Sequence, residues 1–101
     1  MRILWTEPSL QDLESIRDYI KRDSEFYASL FIERIIEAVE RLETFPEMGR
    51  KVPEAEEENI REIIFQNYRI IYRLETEQVL ILTILHAACD FNKTRNTWVV
   101  N

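Results

Sequence analysis

Glycine is almost absent from this chain: Gly49 is the only one in 101 residues. That excludes a glycine-rich loop folded around a phosphate, which needs several positions without a Cβ. With only three prolines besides, long loops should be few. Cysteine is equally scarce. Cys89 stands alone, so there is no disulfide framework, and a reducing, cytoplasmic setting is the expectation. Histidine also occurs once. His86 and Cys89 are too few to make a zinc site, so no metal and no cofactor are expected. Nor do residues three apart at a strand end readily form a Cys–His nucleophile pair. No apolar run approaches the roughly 18 residues needed to cross a bilayer. No basic-then-apolar leader opens the chain, so no membrane association is expected. Positive charge is short as well. A net charge of −6 argues against a general nucleic-acid binder, which must displace counterions with cations.

What remains is a well-folded composition. Hydrophobic residues make up 46% and charged residues 32%, too apolar for a disordered chain. The length suits a single domain over residues 1–101, with a tail from about residue 90 that either frays or ends in a short strand at Trp98–Val100. The charge is uneven. Residues 7–58 hold 15 acidic and 7 basic side chains, whereas residues 59–101 hold 4 and 5. The acidity belongs to the first half, and the second half carries local arginines.

Periodicity orders the elements. Residues 2–6, RILWT, read as a strand. Pro8 suits the first turn of a helix capped near Thr6 or Glu7. Leu10, Leu13, Ile16 and Ile20 then give one apolar stripe. Asp23 and Ser24 break it and can cap a second helix from about Glu25 to Thr44, with Phe31, Ile32, Ile35, Ile36, Val39 and Leu42 on its apolar face. Residues 45–59, FPEMGRKVPEAEEEN, read as a loop, mobile around the four glutamates between 54 and 58. Three strand-like runs follow: 60–65, 68–74 and 79–87. The short polar breaks Gln66-Asn67 and 75–78 between them favour an antiparallel meander. The predicted fold is α+β. An antiparallel helical hairpin packs on one face of that meander, and the N-terminal strand joins the sheet.

The middle run, YRIIYRL, raises a question of facing. Strand side chains alternate. Tyr68, Ile70, Tyr72 and Leu74 should pack under the helices, because burying unpaired arginines costs several kcal/mol. Arg69 and Arg73 should then face outward, joined by Arg61 from the neighbouring strand. Such a face can grip phosphates or carboxylates. It can equally be an ordinary solvated face, neutralised by Glu62, Glu75 and Glu77. If it is open, Arg69→Ala and Arg73→Ala should each shift stability by only about 0.5 kcal/mol. His86, at the end of the last strand, suits either a general acid or base near neutral pH or a solvent-exposed strand end.

The element order, together with WTEPSLQDLESIRDYI at 5–20, FPEMGR at 45–50, IRE at 60–62, YRIIYR at 68–73 and a strand ending in His86, resembles the RelE/ParE superfamily of toxins from bacterial type II toxin–antitoxin systems. The resemblance covers roughly residues 3–90. It implies a toxin that halts growth until a cognate antitoxin binds it, with operator DNA contacted only through the antitoxin. It also implies one of two actions. RelE-like members enter the ribosome and cut mRNA as metal-independent endoribonucleases, with Arg61, Arg69 and His86 the catalytic candidates. ParE-like members poison DNA gyrase without nuclease chemistry, and Arg61, Arg69, Arg73 and His86 become contacts for target or antitoxin. Cys89 stands about where an arginine is common in both branches, which leaves a non-toxic, antitoxin-binding corepressor as a third reading. His86 followed by Asp90 is similar to the ParE pattern, and the ParE-like branch is favoured.

Overall fold

A computed structural model describes residues 1–88 of the chain. The expected terminal strand at Trp98–Val100, the tail and Cys89 lie outside these residues. Strand β1 (Arg2–Trp5) leads into helix α1 (Glu7–Lys21), followed by helix α2 (Glu25–Glu40) and a 3-10 turn at Arg41–Glu43. A two-residue strand β2 (Arg50–Lys51) precedes β3 (Ile60–Phe65), β4 (Tyr68–Leu74) and β5 (Gln78–His86).

The caps are the ones the sequence offers. Thr6 caps α1 by accepting from the Ser9 N–H at 3.2 Å, and its hydroxyl donates to the Ile81 carbonyl at 2.7 Å. One side chain thus starts a helix and ties it to β5. Ser24 caps α2 by accepting from the Tyr27 N–H at 3.1 Å. The second helix ends at Glu40, and the expected final turn to Thr44 tightens into the 3-10 segment.

The sheet runs β1-β5-β4-β3-β2. The last three strands form the predicted antiparallel meander, while β1 pairs parallel to β5, so the sheet is mixed. Strand β5 carries one extra residue, Leu82, between the partners of Ile71 and Tyr72, which makes a bulge. Both helices lie on one face. Leu13 and Ile16 of α1, with Phe31, Ile35 and Val39 of α2, pack against Ile70, Tyr72, Val79, Ile81 and Ile84. Leu10, placed on the apolar stripe by its spacing, is instead 51% exposed.

The opposite face departs from expectation. It is not open. Val52, Ile60, Ile71, Leu82 and Leu85 form a second buried cluster, with Ala55 and Leu80 at its margin. The cover comes from residues 50–58, read from sequence as a mobile loop. Strand β2 pairs Arg50 with Glu62 and Lys51 with Arg61, and the Val52 N–H donates to the Ile60 carbonyl. The segment then crosses the sheet as a strap.

Candidate functional site

Arg69 lies beneath that strap. Its Nη1 and Nη2 donate to the two oxygens of Glu54 at 2.8 and 2.9 Å, and its Nε donates to Glu62 at 2.5 Å. The residue is only 6% exposed and Glu62 is fully buried. Glu62 also accepts from Arg50 Nε at 2.6 Å. Arg50, Arg69, Glu54 and Glu62 are thus joined in one network. The Glu54 hydrogen bonds, opposed by burial and reinforced by Glu62, push the Arg69 guanidinium further above its already high range. The outward-facing Arg69 is therefore corrected. Glu62, expected only as a neighbour on a solvated face, is buried with it and joined by Glu54, and this double pairing makes the burial tolerable.

Arg73 shares that face, four residues along. Its Nε donates to Glu75 at 2.9 Å. Both side chains of this pair keep about a third of their surface in water, 32% and 30%. We expect Arg73→Ala to lower stability by no more than about 1 kcal/mol in urea denaturation, as for a screened surface pair.

Arg61 does not join them. The two-residue turn Gln66-Asn67, with Gln66 at φ 51°, sets Phe65 against Tyr68 and hence Arg61 against Tyr72. Arg61 therefore stands on the helical face, where its Nη1 donates to the carbonyls of Gly49 at 2.8 Å and Glu47 at 3.4 Å. Tyr72 works beside it. Its hydroxyl donates to the Pro46 carbonyl at 2.8 Å and accepts from the Gly49 N–H at 3.0 Å. Burial pushes the Tyr72 phenol up, against the Gly49 hydrogen bond and the nearby Arg61, so it remains a neutral donor near pH 7. Together they stitch the FPEMGR segment to the sheet.

His86 is exposed at the end of β5, paired with Tyr68. Its ring meets the Tyr68 ring edge-on with centroids 5.8 Å apart, and Nδ1 accepts from the Ala88 N–H at 3.3 Å. Tyr68 lies four residues from Tyr72, so His86 and Arg61 are separated along the sheet by about 13 Å at the usual strand rise. The four candidates thus fall into three places: Arg69 and Arg73 under or beside the strap, Arg61 at the Gly49 turn, and His86 at the far strand end. Sequence reasoning missed Glu54. Its one signal was the acidic run itself, which carries carboxylates in excess of the local cations.

Among the described residues, no group of three His, Cys, Asp or Glu side chains is placed to hold a metal ion. No helix among them is long and apolar enough to cross a membrane. Between α1 and α2 lies an open groove of about 440 Å3, lined by Arg17, Ile32, Ile36 and three glutamates.

The family model described as the ParE toxin of type II toxin-antitoxin system, parDE, matches residues 3–91. The chain belongs to the ParE toxin family. Relatives carry both branch names. Toxin RelE2 of Caulobacter vibrioides is 34% identical over 88 residues, covering 86% of this chain and 96% of the relative. Toxin ParE3 of the same organism is 32% identical over 85 residues, covering 83% and 84%. Among solved structures, the chromosomal ParDE TA system from P. aeruginosa matches with a TM-score of 0.72 at 24% identity, covering 85% of this chain and 95% of that one. In this ParE-family toxin, the matched span runs from β1 through β5, so the strap and the Arg69 network lie within it.

Proposed function

We propose that this ParE-family toxin arrests growth by binding and poisoning DNA gyrase in the cytoplasm, and that a cognate antitoxin neutralises it. The observation that carries the reading is the scattering and neutralisation of the candidate cations. Metal-free RNA cleavage needs a proton-transfer group and charge-stabilising donors within hydrogen-bond reach of one reacting phosphate. Here Arg69 is bonded to Glu54 and Glu62, Arg73 to Glu75 and Arg61 to main-chain carbonyls. His86 has none of them beside it. Inhibition by binding makes no such demand. The solved neighbour, described as a ParDE TA system, supports an antitoxin partner. The near-equal identities to relatives named RelE2 and ParE3 favour neither target.

The test is induced expression in a bacterial host, alone and with the neighbouring antitoxin gene. The expected result is growth arrest relieved by the antitoxin, induction of a DNA-damage reporter, and gyrase trapped covalently on DNA. Arrest with a silent reporter and ribosome-dependent mRNA ends overturns the gyrase reading in favour of the nuclease. No arrest at all favours the corepressor.

A further inference from the structure

Helix α2 sorts its exposed charges by side. Glu33, Glu37 and Glu40 line the groove against α1. Ala38 and Arg41 line a different groove, against β3. Arg34 stands four residues before Ala38 and seven before Arg41, so the helical period puts it in the same row. Both arginines are exposed, and neither makes an ion pair among the described residues. Glu37 has the favourable spacing for Arg41, yet it lines the α1 side and leaves Arg41 unpaired. Arg50 extends the row across the groove, and its side chain is 63% exposed despite its bond to Glu62. Glu62, the one carboxylate in this lining, is buried and already bonded to Arg50 and Arg69.

Three water-facing guanidiniums thus gather on one side of a chain whose net charge is −6. Their spacing suits a regular polyanion. An α-helix rises about 1.5 Å per residue, so Arg41 stands roughly 10 Å beyond Arg34. Phosphates of one DNA strand advance about 3.4 Å each along the duplex axis, so the two arginines span about three of them. Guanidinium forks match phosphate oxygens in pairs. Strand β4 separates His86 from this edge of the sheet, so the row can hold a phosphate with no proton-transfer group beside it to cleave the chain.

We infer that the row of Arg34, Arg41 and Arg50 holds the phosphate backbone of the DNA that gyrase carries, so that the toxin touches enzyme and DNA together. The inference rests on the gyrase reading above. Charge complementarity selects a polyanion for this side alone. The acidity of the rest of the chain repels one, so the free toxin holds DNA poorly and gyrase must bring the duplex to the row. Phosphate contacts position without reading bases, so the row serves any sequence that gyrase cleaves.

The test is fluorescence-anisotropy titration of labelled full-length toxin with gyrase, first alone and then bound to duplex DNA. Arg34→Glu and Arg41→Glu reverse the row. Arg50 is left intact because it also neutralises Glu62. Arg22→Glu, at the C-terminal end of α1, is the control. DNA should tighten the binding of wild type and control. Each reversal should weaken binding to gyrase–DNA by about tenfold or more and leave binding to gyrase alone unchanged. The gain from DNA should shrink as salt rises from about 50 to 200 mM and be the same on duplexes of different sequence. Reversals that bind gyrase–DNA as tightly as wild type overturn the inference and leave the gyrase reading standing. Equal weakening with and without DNA assigns the row to the enzyme and overturns it too. A wild type that ignores gyrase overturns both, and ribosome binding lost in the same variants would then assign the row to RNA.

Discussion

Arg69→Ala destabilises the protein by about 3–5 kcal/mol, the usual loss when one member of a buried ion pair is removed. Chemical denaturation should read this as a lowered midpoint with little change in slope. The cause is what the substitution leaves behind. Glu62 is fully buried and would keep only Arg50, whose side chain is 63% exposed, as its cation. Glu54 would lose the bidentate partner that holds the strap. A domain of this size is stable by only about 5–15 kcal/mol in total, so the loss is a large fraction of it. Glu54→Ala should cost less, because Arg69 keeps Glu62 and Glu54 lies nearer water. If Arg69→Ala melts within about 0.5 kcal/mol of the wild type, as exposed substitutions do, the strap does not bury this face in solution.

Gly49→Ala is the second severe substitution, with an expected loss of about 1–3 kcal/mol from overpacking. Gly49 does not have a positive φ, so the residue is not chosen for a left-handed backbone. It is chosen for space. A Cβ there would stand 2.5 Å from the Tyr72 hydroxyl, 2.7 Å from the Glu62 carbonyl oxygen and 2.8 Å from the Tyr72 ring. Neither neighbour yields easily. The Glu62 oxygen is backbone within the sheet, and the Tyr72 ring is fully buried with its hydroxyl bound to Pro46 and Gly49. Tyr72→Phe removes the closest clash while leaving the carbonyl contact. The double variant should therefore lose less than the sum of the two single losses, a coupling that thermal or chemical denaturation of all four proteins measures. Strict additivity is the result that contradicts the close packing of Gly49 on Tyr72.

Much of this architecture was legible because its physics is local. Thr6 and Ser24 are good caps standing just before apolar stripes, and both serve as caps. The alternation in β4 correctly assigned Tyr68, Ile70, Tyr72 and Leu74 to the helical face. What failed was long-range. The cost of an unpaired buried arginine places Arg69 outside, but its partner Glu54 lies 15 residues away in a stretch whose composition reads as loop. The misplacement of Arg61 was avoidable. A two-residue turn at Gln66-Asn67 already sets position 61 opposite position 72, and so on the face of Tyr72. The bulge at Leu82 left no mark in the hydrophobic pattern, since β5 is apolar on both sides. At the candidate site, the residue types were visible but their convergence was not. Three arginines were expected on one face, and the register puts Arg61 on the other.

The strand order has a consequence for how the toxin comes into being. β5 lies between β1 and β4, supplies side chains to both buried clusters and receives the Thr6 hydroxyl, yet it is the last described strand to leave the ribosome. At about 5–20 residues per second, the two helices and β1 wait several seconds for the surface they pack on. A nascent chain halted before Gln78 lacks the strand that joins β1 to β4, and the β5 side chains of both buried clusters are missing. A translation product cut short there is not a weaker toxin but an aggregation-prone fragment with unpaired strand edges.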